Sequence, residues 1–315
     1  MVLLVGGRRR ISDVYKRQGN NRRGALRDER RRVRGQSRKY ICIRARAARA
    51  QDENSQRLAL KGQDLSLIHI SPAARRHYAG QRTVRTLSGA DIAQPLAVAA
   101  KGMFVITDGK RNDIGATMTA YAAAHLGSTV VEEETFAPFG ADALTVNGYL
   151  GTDGIQPLLE VCGQEDKGIF VLVKTSNPSS GELQDKPLAD GNTVYRAMGA
   201  MCEGWGEKLP GKYGYSGVGA VVGATYPAQL EELRAAMPHT FFLVPGYGAQ
   251  GGAADDVAPG FDKNGLGAIV NSSRGIMCAW QKEGIDGQDY AAAARREAIR
   301  MRDEIVGRIG RIVLP

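Results

Sequence analysis

Residues 104–127 read FVITDGKRNDIGATMTAYAAAHLG, an apolar strand that runs through a charged turn into a helix. Phe104 to Thr107 are apolar or β-branched, the composition of a buried strand. A helical pattern begins at about Ile114 and continues to 126. The junction holds Asp108, Lys110 and Asp113. Asp108 and Lys110 are two apart, so on an extended chain they project to the same side. Asp113 and Thr117 are four apart and share one face if the helix begins here. Two carboxylates and an ammonium at the carboxyl end of a buried strand are costly unless they are paired or put to chemical use. Plainer readings stand beside the chemical one: Asp113 as a helix N-cap, and Asp108 with Lys110 as a structural ion pair.

Working outward toward the C-terminus, strand-like and helical runs alternate. The strands expected are 104–107, 143–147, 168–176, 218–225, 240–246 and 267–273. The helices are 114–126, about 152–163, about 192–206, 227–237 and 291–309. Strand after helix after strand implies parallel pairing with right-handed crossovers. A closed (β/α)8 barrel needs two more β/α units than these six. They belong before residue 100, where only PLAVAAKG (95–102) resembles the tail of a barrel helix. The expectation is therefore an α/β TIM barrel whose first two units are missing or scrambled. No G-x-G-x-x-G follows the first readable strand, which disfavours an open dinucleotide-binding sheet.

In a barrel, function sits at the carboxyl ends of the strands. The third readable strand ends in VKTSNPSSG, where Thr175, Ser176 and Asn177 can read a base edge or simply form a turn. The last two strands, the seventh and eighth counted back from the C-terminus, end in VPGYGAQGG (244–252) and VNSSRG (270–275). Glycines at 246, 248, 251 and 252 let backbone N–H groups approach an anion. Gln250 can add a side-chain amide, and Arg274 can hold a phosphate bidentately. The alternative is a flexible glycine loop with a surface arginine.

Toward the N-terminus the character changes. The formal charge of +9 is wholly N-terminal: residues 1–100 carry 23 Lys+Arg against 7 Asp+Glu, and the rest carry 19 against 26. DVYKRQ (Asp13–Gln18) and LSLIHI (Leu65–Ile70) can be encoded by complementary strands of one DNA, which resembles a transposon end used in library preparation. Residues 1–71 thus read as translated library DNA, and 1–95 as an Arg-rich segment separate from a barrel domain at 96–315. The other reading is an arm for RNA or DNA, but the aromatic interleaving that base contacts want is nearly absent. No nucleic-acid partner is expected. The short apolar start precedes its charges, unlike a signal peptide, and no run reaches the roughly 18–20 apolar residues of a membrane span. Four cysteines, far apart and without metal spacing, read as reduced thiols of a cytoplasmic protein.

D-x-K-x-x-D-I-x-x-T, met by Asp108, Lys110, Asp113, Ile114 and Thr117, resembles the signature of orotidine 5'-phosphate decarboxylase. ADALTVNGYLG, VLVKTSNPSSGELQ, GVGAVVGATYP, FFLVPGYGAQGG and AIVNSSR fit the longer bacterial subgroup of the same family, so the resemblance covers about Leu96 to Pro315. It implies cofactor-free decarboxylation of orotidine 5'-phosphate to uridine 5'-phosphate in pyrimidine synthesis, with no metal. Lys110 would then protonate C6, and Asp108 would lie against the departing carboxylate. Asp113, with Ile114 and Thr117, would reach across a homodimer interface. Ser176 would bond the pyrimidine, while Pro245, Gly246, Gln250 and Arg274 would grip the nucleotide from base to phosphate. The family's first-strand Asp and second-strand Lys find no matching context here. A magnesium-dependent sugar-phosphate decarboxylase shares the lysine motif but leaves VKTSNPSSGELQ unexplained. An inactive chain that still binds nucleotide is a further alternative.

Overall fold

The computed structural model describes residues 104–310 and 312, apart from 132 and 249–251. The Arg-rich segment, the PLAVAAKG helix tail, the first two barrel units and Gln250 lie outside the described residues.

Six strands form one parallel sheet: β1 (Ile106–Arg111), β4 (Ala143–Val146), β5 (Gly168–Lys174), β6 (Val218–Val222), β7 (Phe242–Pro245) and β8 (Ala268–Asn271). They pair in that order, with β1 and β8 at the two edges. The sheet is the curled part of a (β/α)8 barrel expected from the sequence. Its strands read as continuous Val/Ile/Leu/Phe runs because both faces are covered, as parallel sheets require. β4 and β6 are buried at every position.

The helices return the chain to the start of each next strand. They are α1 (Gly115–His125), α2 (Thr152–Glu165), α3 (Val194–Gly206), α4 (Pro227–Ala236) and, after β8, the long α8 (Tyr290–Ile309). Short helices α5 (Ala254–Val257), α6 (Ser273–Met277) and α7 (Ala279–Lys282) fill the last two connections. α2 buries Ile155, Leu158, Leu159 and Cys162, one stripe at helical spacing, against the sheet. Burial pushes the Cys162 thiol up to about 12, so it is an apolar core residue rather than a nucleophile.

Two departures from the expected elements matter. An antiparallel hairpin of β2 (Thr129–Val131) and β3 (Glu134–Phe136) follows α1, in a stretch with no alternation long enough to announce it. The first strand is also displaced: it runs Ile106–Arg111, so Asp108 and Lys110 lie on the strand rather than in a turn after it.

Candidate active site

The displacement of β1 has a local cause. Thr107 pairs with Leu144 and Arg111 with Val146, so Asp108, Gly109 and Lys110 together face the single residue Thr145. This is a bulge, a device that re-aims side chains at strand ends. Lys110 takes φ +46°, a left-handed conformation costly for a residue with a side chain. Thr145, 1% exposed, holds it there. The Lys110 N–H donates to Thr145 Oγ1 at 3.0 Å, and the same hydroxyl donates to Asp108 Oδ1 at 2.8 Å. Lys110 Nζ closes the triangle by donating to that carboxylate oxygen. The ion pair is accessible, with side chains 51% and 30% exposed for Lys110 and Asp108. Gly109 packs closely on β4, since a Cβ there would sit 3.0 Å from Leu144 Cδ1.

Asp113 is not the N-cap of α1. Ile114 occupies that position, and Asp113 Oδ1 instead accepts the Ile114 N–H at 2.9 Å. Ile114 is 52% exposed, and Thr117 is exposed on the same end of the helix. Tyr149 and Leu150, after β4, are exposed as well. An added Cβ on Gly154 would meet Asp113 O at 3.0 Å and Leu150 Cβ at 3.4 Å, so Leu150 borders the Asp113 turn.

Ser176 lies two residues past β5. Its carbonyl accepts from Thr225 Oγ1 at 3.1 Å, and a Cβ on Gly223 would stand 2.8 Å from its own Cβ. Glycine at 223 is therefore what lets the ends of β5 and β6 meet here. Its neighbours are engaged within the turn. The Thr175 hydroxyl donates to Asn177 Oδ1 at 2.6 Å, and Gln184 both accepts the Thr175 N–H at 2.9 Å and donates to its hydroxyl at 2.8 Å. Lys174, at the last position of β5, is completely buried and pairs with Asp185 at 2.7 Å.

At the far edge, Pro245 pairs with Asn271, which brings the ends of β7 and β8 side by side. Pro245, Gly246, Tyr247, Asn271, Ser272 and Arg274 line a cleft of about 100 Å³ there. Ser272 Oγ donates to the Tyr247 carbonyl at 2.8 Å, tying the two loops together. The first loop is pinched shut by Gly248 N–H to Gly252 O at 2.7 Å. Gly246 and Gly248 have φ of +109° and +75°, which only glycine adopts freely. Arg274 is exposed at the cleft and pairs with no carboxylate among the described residues. A cationic side chain beside a hydroxyl-bearing turn makes a site suited to a phosphate, whereas the Gly248 and Gly252 N–H groups, expected to approach an anion, bond within the loop instead.

Of the residues singled out in the sequence, the structure brings Asp108 with Lys110 at one edge of the sheet. It brings Pro245, Gly246 and Arg274 together at the other. Sequence reasoning missed Thr145, Lys174 and Gln184. Thr145 and Lys174 carry one signal, a lone polar residue inside an apolar strand, and Gln184 carries none.

Proteins of known identity resemble this chain in sequence and fold. The orotidine 5'-phosphate decarboxylase of Rhodopirellula baltica is 52% identical over 210 residues, which cover 65% of this chain and 68% of the relative. That of Caldicellulosiruptor bescii is 48% identical over 181 residues, 58% of this chain and 59% of the relative. Among solved structures, the OMP decarboxylase of Leishmania donovani superposes with a TM-score of 0.51 at 31% identity, covering 69% of this chain and 76% of that one. The Leishmania donovani UMP synthase gives 0.52 at 33% identity, over 68% of this chain and 44% of that one. The model of the orotidine 5'-phosphate decarboxylase / HUMPS family matches residues 89–284, and the chain belongs to this family of carboxy-lyases.

Proposed function

We propose that this chain converts orotidine 5'-phosphate to uridine 5'-phosphate in the cytoplasm without a cofactor, with Lys110 delivering the proton to C6. The observation that carries the reading is the accessible Asp108–Lys110 pair held in a bulge by Thr145. Loss of carbon dioxide leaves an electron pair on C6 with little delocalisation. An ammonium beside that carbon stabilises the charge as it develops and then protonates it. Asp108 orients the ammonium and faces the departing carboxylate. Phosphate binding at Arg274, remote from the reacting carbon, offsets the cost of bringing two carboxylates together. Ser176 takes the pyrimidine edge, and Pro245, Gly246 and Gln250 complete the grip on the nucleotide. Asp113 and Thr117 act in the site of a second copy of the chain, through an interface that includes the exposed Ile114.

The test is turnover of orotidine 5'-phosphate by the chain and by its Lys110→Ala variant. Turnover lost in the variant, with UMP binding retained, is the expected result; equal turnover by both would refute the role of Lys110. A second reading, a nucleotide-binding chain without turnover, is favoured by one observation. The cleft is lined by described residues from the ends of both β7 and β8, whereas β1 has only one paired neighbour among the described residues. UMP binding by a chain that turns over nothing would select it.

A further inference from the structure

Lys174 is a buried cation that the reaction proposed above does not use. Its side chain is 0% exposed. Burying an ammonium is costly unless it is paired and fully bonded. Here Nζ donates to Asp185 Oδ1 at 2.7 Å and to Ser180 Oγ at 3.3 Å. It also stands 4.7 Å from the centre of the Tyr226 ring and 5.6 Å from that of Tyr195. Two of these groups, Ser180 and Asp185, belong to the turn that leaves β5. Tyr226 belongs to the segment that leaves β6, and Tyr195 to α3. Gln229 of α4 also donates to Asp185 Oδ1 at 3.3 Å. One ammonium therefore ties together three elements that are far apart in sequence.

Ser176 lies two residues after Lys174, in the turn that this ammonium anchors. Leu172 pairs with Val221 and Lys174 with Val222, so Val173 is an extra residue on β5. This second bulge changes the direction in which the chain leaves the strand. Beyond it, Ser176, within the turn anchored by Lys174, abuts the Gly223–Thr225 segment.

We infer that Lys174 is a positioning residue: its ammonium clamps the 175–185 turn over the end of β5 and thereby holds Ser176 where it meets the pyrimidine. The inference rests on the reading of Ser176 as a base contact in the proposed decarboxylase. It differs from a purely structural role in one measurable respect. The clamp acts on the base end of the site, while the phosphate end is built separately from β7 and β8. Loss of the clamp should therefore weaken a ligand that has a base and spare one that lacks it.

The experiment measures equilibrium binding of UMP and of ribose 5-phosphate to the full chain, to Asp185→Asn, to Lys174→Met and to the double variant. Asp185 is 39% exposed, so Asp185→Asn breaks the pair from its solvated side and keeps the test open if Lys174→Met fails to fold. UMP affinity should fall about tenfold in either single variant, and the double variant should be no weaker than the worse of them, because both remove one interaction. Ribose 5-phosphate affinity should stay unchanged. Undiminished UMP affinity in Asp185→Asn overturns the inference, as does a parallel loss of both ligands. A parent chain that binds neither ligand overturns instead the functional reading beneath it, and is told apart by needing no variant.

Discussion

Replacing Thr145 by valine removes one hydroxyl and changes little in volume, so its effect isolates a polar role. The hydroxyl is fully buried and makes two bonds: it accepts the Lys110 N–H at 3.0 Å and donates to Asp108 Oδ1 at 2.8 Å. The bond to the carboxylate is charge-assisted, worth about 1.5–3 kcal/mol, while the neutral one is worth about 0.5–1.5 kcal/mol. Asp108 retains Lys110 as a partner and is partly open to water, so the lower end of the first range applies. The summed loss is therefore about 2–3 kcal/mol of stability in the variant. Part of it appears as relaxation of the backbone at Lys110, since a left-handed residue persists only while its surroundings enforce it. Under the proposed role of Lys110, relaxation moves its ammonium away from the reacting carbon, and misplacement of a catalytic group by about 1 Å costs roughly 100-fold in rate. The assay pairs urea unfolding with steady-state turnover of orotidine 5'-phosphate. Thr145→Val should lose stability as stated, lower kcat by one to two orders of magnitude and leave KM nearly unchanged; Thr145→Ser should restore both. A valine variant with unaltered kcat would refute the idea that this hydroxyl sets the lysine.

Arg274 is exposed and has no described carboxylate partner, so Arg274→Ala should leave the unfolding midpoint unchanged while weakening UMP by about 10- to 100-fold, as titration calorimetry would read. Ile114→Asp places a charge in the proposed interface between copies. Sedimentation velocity should show the dimer replaced by monomer, with turnover falling in step. His125 is buried, stacked on Phe139 at 4.5 Å between ring centres, and its imidazole is lowered to about 4 by burial and then by the Arg111 charge. The unfolded state therefore takes up the proton near pH 6.5 and the folded state only near 4. Stability is full above about pH 6.5 and falls by roughly 3 kcal/mol as the pH drops through that window. Urea midpoints across pH 4–7 should show the fall in the parent and a reduced one in His125→Phe.

The barrel was legible because a parallel sheet buried on both faces writes itself as apolar runs. ALTV, GIFVLVK, VGAVV, FLVP and AIVN each became a strand within a few residues of the expected span. The spans differ at their ends: β5 stops at Lys174 and β6 at Val222, two and three residues short of the expected ends, while β7 starts at Phe242 rather than at 240. The β2–β3 hairpin escaped notice because Val130 at 66% and Phe136 at 45% exposure serve no core, so no hydrophobic periodicity is imposed on it.

The site shows a different kind of limit. Asp108 and Lys110 were expected on one side of an extended chain, and they do meet, but not for that reason. A regular strand at 108–110 would pair residue for residue with β4; instead three residues face Thr145, and the left-handed Lys110 folds its side chain back onto Asp108. Two-residue periodicity describes a ladder, and a bulge is where the ladder is interrupted. The same holds for Lys174 at the bulge of β5, where a residue inside an apolar run proved to be a buried ion pair. Both charged pairs thus sit where strand periodicity fails, and their partners arrive from neighbouring strands: Thr145 from β4, Tyr226 from the end of β6. One consequence follows for the whole molecule. The Asp108–Lys110 pair proposed to deliver the proton lies on β1 and the proposed phosphate cleft on β7 and β8, at opposite edges of the described sheet. A nucleotide that reaches both is held only if the sheet stays curled, so turnover reports on that curvature, whereas phosphate binding reports on one edge alone.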